Sequence, residues 1–168
     1  NDLSITHGQF GTIYASATLV SSLALVWVGK KIDDMDVFKF SLIVIILLSF
    51  ACFFFSTIKY VPILFIGIFL LRLSGQGLMS HTATTTVARY FEKTRGKALS
   101  ITWLGLSSAE FILPVLMVFL LSLISWRDIW TIISILVLIL LPILSFILIK
   151  NLKLTSREGS TKSKEKID

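Results

Sequence analysis

Charged residues are scarce in this sequence, and their scarcity excludes a whole class of proteins. Of the 168 residues, 15% are charged and 55% are hydrophobic, and the mean hydropathy is +0.87. Soluble proteins carry about 25% charged residues, so this chain has too few to cover a surface in contact with water. The composition therefore excludes a soluble globular protein and predicts an integral membrane protein whose first partner is the lipid bilayer.

The sequence also has a single cysteine and no extended basic face. Cys52 is the only cysteine, and it lies in an apolar run without a disulfide partner or metal-ligand spacing. We therefore predict no disulfide framework, no metal site and no cofactor. The net charge is +6, but the basic residues form short groups between apolar runs and no basic face interleaved with aromatic residues. This pattern argues against nucleic-acid binding and is typical of charges that flank membrane spans.

Five apolar runs are each long enough to cross the hydrocarbon core, which takes about 20 residues. They lie at roughly residues 9–29, 37–57, 60–86, 98–124 and 129–149. We therefore predict an all-α, polytopic membrane helix bundle over residues 1–151. The chain begins with Asn1 and shows no charged segment or cleavage site before the first span, so we predict no signal peptide and expect an internal fragment.

The positions of Lys and Arg predict the orientation, because cytoplasmic loops carry the excess of these residues. Basic residues follow the first, third and fifth spans, whereas only Lys59 and Arg127 lie on the opposite side. The N-terminus is therefore predicted outside and the C-terminus in the cytoplasm. Residues 152–168, rich in Ser, Thr and Lys, are predicted to be a flexible cytoplasmic linker.

Residue size predicts which spans face protein, because Gly, Ala, Ser and Thr allow helices to pack closely in lipid. The first, third and fourth spans are rich in these residues, and we expect them to form an interior surface. The second and fifth spans consist mostly of Leu, Ile and Phe, and we expect them at the periphery.

Two ionisable residues, Arg72 and Glu110, lie deep inside apolar spans. At 1.5 Å per residue, Arg72 is about 18 Å from Tyr60 and Glu110 about 20 Å from Lys97, so both are expected near the midplane. A charge there costs at least about 2.5 kcal/mol, and such residues usually line a functional cavity. Pro114 leaves the carbonyl of Glu110 without its helical donor and predicts a local kink.

Two interpretations of this pair remain open. In the first, Arg72 and Glu110 form a buried ion pair that only holds two helices together. In the second, the guanidinium of Arg72 binds a carboxylate or phosphate, and Glu110, with a raised pKa, carries a proton.

Several short motifs resemble those of the major facilitator superfamily of secondary transporters, and they occur in the family's order. GKKIDD, with Gly29 and Asp33, is similar to the loop between helices 2 and 3 of that family. FEKTRGKA, with Arg95 and Gly96, resembles the segment that enters helix 5. Three further motifs resemble family patterns in helices 4, 5 and 6: RLSGQG with Arg72, Gly75 and Gly77; GLSSAEFILP with Gly105 and Pro114; and SWRDIW.

The resemblance implies that the chain is helices 2 to 6 of the six-helix N-terminal half. Helix 1 and the C-terminal half would then be missing partners from the same protein. Gly29, Asp33, Arg95 and Gly96 would belong to gating loops. Gly75, Gly77, Gly105 and Pro114 would pack or kink helices. The nearest branches are the monocarboxylate and oxalate/formate exchangers, so the expected function is alternating-access transport of a small organic anion, with protons as a possible coupling ion, in a bacterial inner membrane.

Other functions stay open at this point. Proton-driven efflux of drugs or cations is the main alternative within transporters, with Glu110 attracting the substrate. A non-transporting membrane sensor or scaffold is the alternative from another class. An enzyme is disfavoured, because His81 and Ser80 stand side by side without an orienting acid. His81 is also typical of a polar residue that packs between helices.

Overall fold

A computed structural model of the chain describes the backbone of residues 5–164 and the side chains of residues 5–148, apart from that of residue 92. Helix accounts for 92% of the structure, and no strand occurs in the described part. Five helical units are long and apolar enough to cross a membrane. Both findings confirm the predicted all-α membrane bundle.

The chain order is a series of helices joined by short connections. Their bounds are α1 His7–Gly29, α2 Lys31–Asp34, α3 Val37–Ser56, α4 Val61–Leu71, a π-helical segment Arg72–Met79, α5 Ser80–Tyr90, a 3-10 turn Glu92–Thr94, α6 Arg95–Leu123 and α7 Trp126–Lys164. The third span is thus α4, the π-helical segment and α5 in succession, running from Val61 to Tyr90.

Side chains at the connections fix where two of the spans begin. Thr6 and Gln9 form a capping box before α1, with Gln9 Oε1 accepting from Thr6 N at 2.9 Å and Thr6 Oγ1 accepting from Gln9 N at 3.2 Å. Asp36 caps α3 by accepting from the backbone N–H of Phe38 at 3.0 Å. Such caps satisfy the donors that the first helical turn leaves without partners.

The second span, α3, lies at the centre of the described bundle and packs against both α7 and α4. In its most apolar stretch 44% of residues are buried, against 11% in the first span and 0% in the fourth. The prediction that the second span is peripheral is therefore wrong for this part of the protein. In the most apolar stretch of the fifth span only 6% of residues are buried, which agrees with its predicted peripheral position.

Serine pairs explain why α3 and α7 pack so closely. Ser49 Oγ donates to the carbonyl of Ser134 at 3.0 Å, and Ser134 Oγ donates to the carbonyl of Ser49 at 2.8 Å. Nearer the other end of the helices, the hydroxyls of Ser41 and Ser145 lie 2.8 Å apart. Isolated serines in a run of Leu and Phe allow two helix backbones to approach closely. A count of small residues over a whole span does not reveal these serine contacts.

The fourth span, α6, has no buried residue among its described side chains. Its main contacts are with α5, α7 and the 3-10 turn. The prediction that it contributes to an interior surface is not met within this chain, because its small residues face outward.

The helix α7 continues beyond the fifth span to Lys164. Residues 152–164, which the sequence predicts to be a flexible linker, are thus helical in backbone, and residues 165–168 lie outside the described part. No proline follows Pro142, so the sequence contains no strong helix breaker in this stretch.

The buried core consists of two apolar clusters. One contains Ala17, Ile58, Leu64 and Ile68, and the other contains Ile32, Phe40, Val44, Leu73 and Leu78. Ile68 and Leu73 are close in the third span but belong to different clusters. Arg72 lies between them in the chain, so the charged residue stands where one apolar cluster ends and the next begins.

Candidate functional site

Arg72 is held by two residues of the first span. Its Nε–H donates to Thr18 Oγ1 at 3.1 Å, and its Cζ lies 4.8 Å from the centre of the Tyr14 ring. Thr18 Oγ1 also donates to the carbonyl of Tyr14 at 2.7 Å. Tyr14, Thr18 and Arg72 therefore form a closed set of contacts between α1 and the start of the π-helical segment, which we call the arginine site.

The outer end of the Arg72 guanidinium has no partner among the described residues. Its Nη1 and Nη2 make no hydrogen bond with any described residue. Arginine presents five N–H donors in a planar fork, and only Nε–H is engaged here. The side chain is half-buried. The arginine site therefore offers a fixed positive fork with its anion-binding edge open.

The π-helical segment begins at Arg72 and widens the middle of the third span. Short π-helical stretches are rare in proteins, and those that do occur often lie at functional sites. Its glycines permit close packing, since a Cβ on Gly77 would lie 3.2 Å from Leu25 Cδ1 and one on Gly75 would lie 3.4 Å from Leu48 Cδ1. In the sequence, RLSGQG shows no feature that distinguishes a π-helix from an ordinary helix.

Glu110 lies on the exposed surface of α6 and is not brought together with Arg72. It makes no hydrogen bond or ion pair with any described residue. The interpretation of Arg72 and Glu110 as a structural ion pair is therefore not seen in this chain. Pro114 lies inside α6, which is continuous from Arg95 to Leu123, and its effect on the helix stays a prediction.

The loop after the first span is tied to the end of the third. Arg89 Nη2 donates to the carbonyl of Ile32 at 2.9 Å and to Asp33 Oδ1 at 3.1 Å. Close by, a Cβ on Gly29 would meet His81 Cδ2 at 3.4 Å. We call Ile32, Asp33 and Arg89 the loop latch. The loop motif includes Asp33, whereas nothing in the sequence distinguishes Arg89 from the other basic residues that follow the third apolar run.

Arg95, Gly96 and Gly105 are not part of these clusters. All three are exposed on α6. A Cβ on Gly96 or on Gly105 would have nothing within 4 Å. Their assignments to a gating loop and to helix packing therefore stay predictions.

A second arginine contact lies at the other end of α3. Arg127 Nη2 donates to the carbonyl of Ile58 at 3.1 Å, and its Cζ lies 4.3 Å from the centre of the Trp126 ring. Ile58 and Ile32 are both fully buried. The loops before and after α3 are therefore each fixed by an arginine that binds the carbonyl of a buried isoleucine.

Metal ligands do not cluster in the part of the chain that the structure covers. No group of three or more His, Cys, Asp or Glu side chains is arranged to hold a metal ion there. The site's chemistry in this region is thus that of one arginine and its neutral neighbours.

Five apolar helical spans, one of which carries a half-buried arginine, define the class of polytopic α-helical membrane proteins. The chain belongs to the major facilitator superfamily, since the model of the Major Facilitator Superfamily matches residues 1–167. Members of this family are transporters rather than enzymes, so the general function is secondary transport of a small solute across a lipid bilayer. Comparisons with curated proteins and with solved structures found no match.

Proposed function

We propose that this chain supplies helices 2 to 6 of a secondary active transporter that moves a small organic anion, such as a monocarboxylate, by alternating access. The observation that supports the proposal is the arginine site, where a guanidinium in the middle of a membrane span has an Nη edge that binds no described residue. In this proposal, helix 1 and a second six-helix half complete the transporter. The protein lies in a bacterial inner membrane, and the first span of this chain begins outside the cell.

Electrostatics favour an anion at this position. A charged arginine in a span is costly unless protein, water or a solute compensates it. Thr18 and Tyr14 stabilise Arg72 by a hydrogen bond and by a cation–π contact worth about 0.5 to 2 kcal/mol, but neither carries a negative charge. A bound carboxylate would complete the site with a bidentate, charge-assisted pair.

Glu110 is the proposed proton carrier, which would make the protein a symporter or an antiporter. It lies on an outward face of α6, without a partner in the described chain. In an assembled transporter that face would meet other helices, where a carboxylate is easier to bury when protonated. Glu110→Gln is then expected to abolish coupling to a proton gradient while the protein stays folded.

Transport assays with the whole protein in proteoliposomes test the proposal. Radiolabelled lactate, formate and oxalate serve as anionic probes, and tetraphenylphosphonium serves as a lipophilic cation. Arg72→Gln should lower uptake of the transported anion at least about tenfold, because it removes a charge-assisted bidentate contact. Lys59→Gln, which removes an exposed cation just before the start of the third span, should leave uptake unchanged.

Proton-driven efflux of cations is the second candidate, and the carboxylate of Glu110 favours it, because it has no partner among the described residues. The same assay separates the two functions. Cation efflux would replace anion transport as the function if two results were found together. The wild type would transport no carboxylate, and Glu110→Gln would lose the export of tetraphenylphosphonium.

A further inference from the structure

We propose that Phe10, Tyr14 and Thr18 of α1 form a selectivity surface beside Arg72 that admits monocarboxylates with a flat, apolar body. The inference rests on the proposed function, because it specifies the class of anion that the arginine site accepts. No sequence motif pointed to these three residues.

The hydroxyl of Thr18 fixes the direction of the guanidinium. A threonine hydroxyl has one proton to donate and two lone pairs that accept. Its proton is already committed to the carbonyl of Tyr14 at 2.7 Å. Thr18 Oγ1 must therefore accept from Arg72 Nε–H, at 3.1 Å, and this leaves the Nη edge pointing away from Thr18. Thr18 is thus a positioning residue that acts through Arg72.

Two aromatic rings continue the surface away from the charge. Phe10 and Tyr14 are four residues apart and share one face of α1. Their ring centres lie 6.2 Å apart with an angle of 27° between the planes. The guanidinium of Arg72 lies against the same Tyr14 ring, 4.8 Å from its centre. The row from Phe10 through Tyr14 to Arg72 is therefore continuous, with the charge at one end.

The row is open to an occupant. Phe10 is 43% exposed and Tyr14 is 40% exposed. Acyl chains are a poor neighbour for the open edge of a guanidinium, so this side of α1 is suited to a solute-accepting space. An occupant that binds the Nη edge with a carboxylate would lay its body along the Tyr14 and Phe10 rings.

The charges and surfaces of the row favour one class of substrate. Arg72 is the only Lys or Arg in the middle of a span among the described residues. It can neutralise one carboxylate of a substrate, and a second carboxylate would find no cation among these residues. The neighbouring surface is aromatic, and it stacks with flat, apolar groups. Polyhydroxylated acids would lose hydrogen bonds to water without replacing them. The surface therefore favours a benzoate-like anion over oxalate or gluconate.

Equilibrium binding to the purified whole transporter tests the selectivity surface. Radiolabelled benzoate and acetate are the paired probes, and unlabelled oxalate and gluconate are the competitors, all at a pH where the carboxylates are ionised. Phe10→Leu and Tyr14→Leu remove a ring but keep an apolar side chain, and Tyr14→Phe keeps the ring. Phe50→Leu is the matched control, because Phe50 stacks on Phe54 at 6.1 Å and 30° on α3, where no arginine contact is found among the described residues.

The surface predicts a loss that depends on the probe. Phe10→Leu and Tyr14→Leu should weaken benzoate binding about three- to tenfold and acetate binding much less, since a ring–ring contact is lost only with benzoate. Tyr14→Phe and Phe50→Leu should keep the wild-type ratio of benzoate to acetate affinity. Equal losses for both probes in the two leucine variants would overturn the proposed surface.

The positioning role of Thr18 has its own readout. Thr18→Val keeps the shape of the side chain but removes the acceptor, and it should weaken both probes about tenfold. Thr18→Ser restores the acceptor and should restore binding. Equal binding by Thr18→Val and Thr18→Ser would overturn the positioning role.

Failure of this inference is distinguishable from failure of the proposed function. If Arg72→Gln abolishes binding of both carboxylates while the leucine variants keep the wild-type ratio, the arginine site stands and the selectivity surface does not. If Arg72→Gln binds both probes as the wild type does, the proposed function itself fails.

Discussion

At Arg72, the partners are neutral and distant in sequence. Thr18 is 54 positions away, and nothing in TLVSS or IYAS marks either Thr18 or Tyr14 as a partner of a charged residue. Sequence reasoning looks for opposite charges at matching depth and so selects Glu110. The folded chain instead satisfies one donor of the guanidinium with a hydroxyl and covers one face with a ring. That solution leaves the positive charge available to a ligand.

At Gly67, the packing is tight enough to predict an effect on stability. A Cβ there would lie 2.5 Å from Ile58 Cδ1 and 3.0 Å from Phe55 Cδ2, and Ile58 is fully buried. Gly67→Ala should therefore destabilise the protein by about 1 to 3 kcal/mol through overpacking. Thermal unfolding of the purified protein in detergent measures the change.

Gly105 provides the matched control for Gly67. It is also helical, but a Cβ on it would have nothing within 4 Å. Gly105→Ala should keep or raise the midpoint of unfolding, because alanine favours a helix over glycine by about 1 kcal/mol. Equal midpoints for the two variants would show that the α3 and α4 contact is looser than described.

At the level of elements, the five spans differ in how they are held. The helix α3 is joined to α7 by serine pairs, and its two loops are fixed by Arg89 and Arg127. The helices α1 and α6 bury little surface, and α6 carries no buried residue. In a transporter that alternates between two states, a well-anchored α3 and α7 pair is suited to act as the static part.

The loop latch gives a prediction at this level. Asp33→Asn removes the charge that Arg89 contacts at 3.1 Å but keeps an oxygen acceptor. The side chains of Arg89 and Asp33 are 35% and 73% exposed, so the pair contributes little to stability, on the order of 0.2 to 1 kcal/mol. A bias of that size between two conformations changes the ratio of their populations by up to about fivefold.

Transport rate is the measurement that checks the latch. Asp33→Asn should change the maximal rate of uptake in proteoliposomes by up to about fivefold, because it changes the ratio of the two conformations. Asp34→Asn, at the exposed neighbouring residue, should behave as the wild type. Identical rates in both variants would mean that the latch takes no part in the transport cycle.

For the whole molecule, composition and run length were sufficient to predict the class and the number of spans. These properties depend on the bilayer thickness and on the cost of burying charge, which each segment meets independently. The centrality of α3 was not predictable in this way, because Ser41 and Ser49 acquire their role only when α7 supplies Ser145 and Ser134. The π-helical segment and the partners of Arg72 likewise depend on contacts between spans.

The central claim for the whole molecule is that a solute reaches Arg72 from water on either side of the membrane in turn. Gln76 is the reporter for this claim, because it is an exposed residue of the π-helical segment, close after Arg72 in the chain. Cys52 is the only cysteine of the chain, so Gln76→Cys can be placed alone in a background with Cys52 and any other cysteine replaced.

The decisive measurement is the reaction of Gln76→Cys with a membrane-impermeant thiol reagent, added to one side of the membrane at a time, with and without benzoate. The account predicts labelling from both sides, slowed by benzoate and no longer slowed when Arg72→Gln is added. Absence of labelling from both sides, or labelling that benzoate does not change, would contradict it.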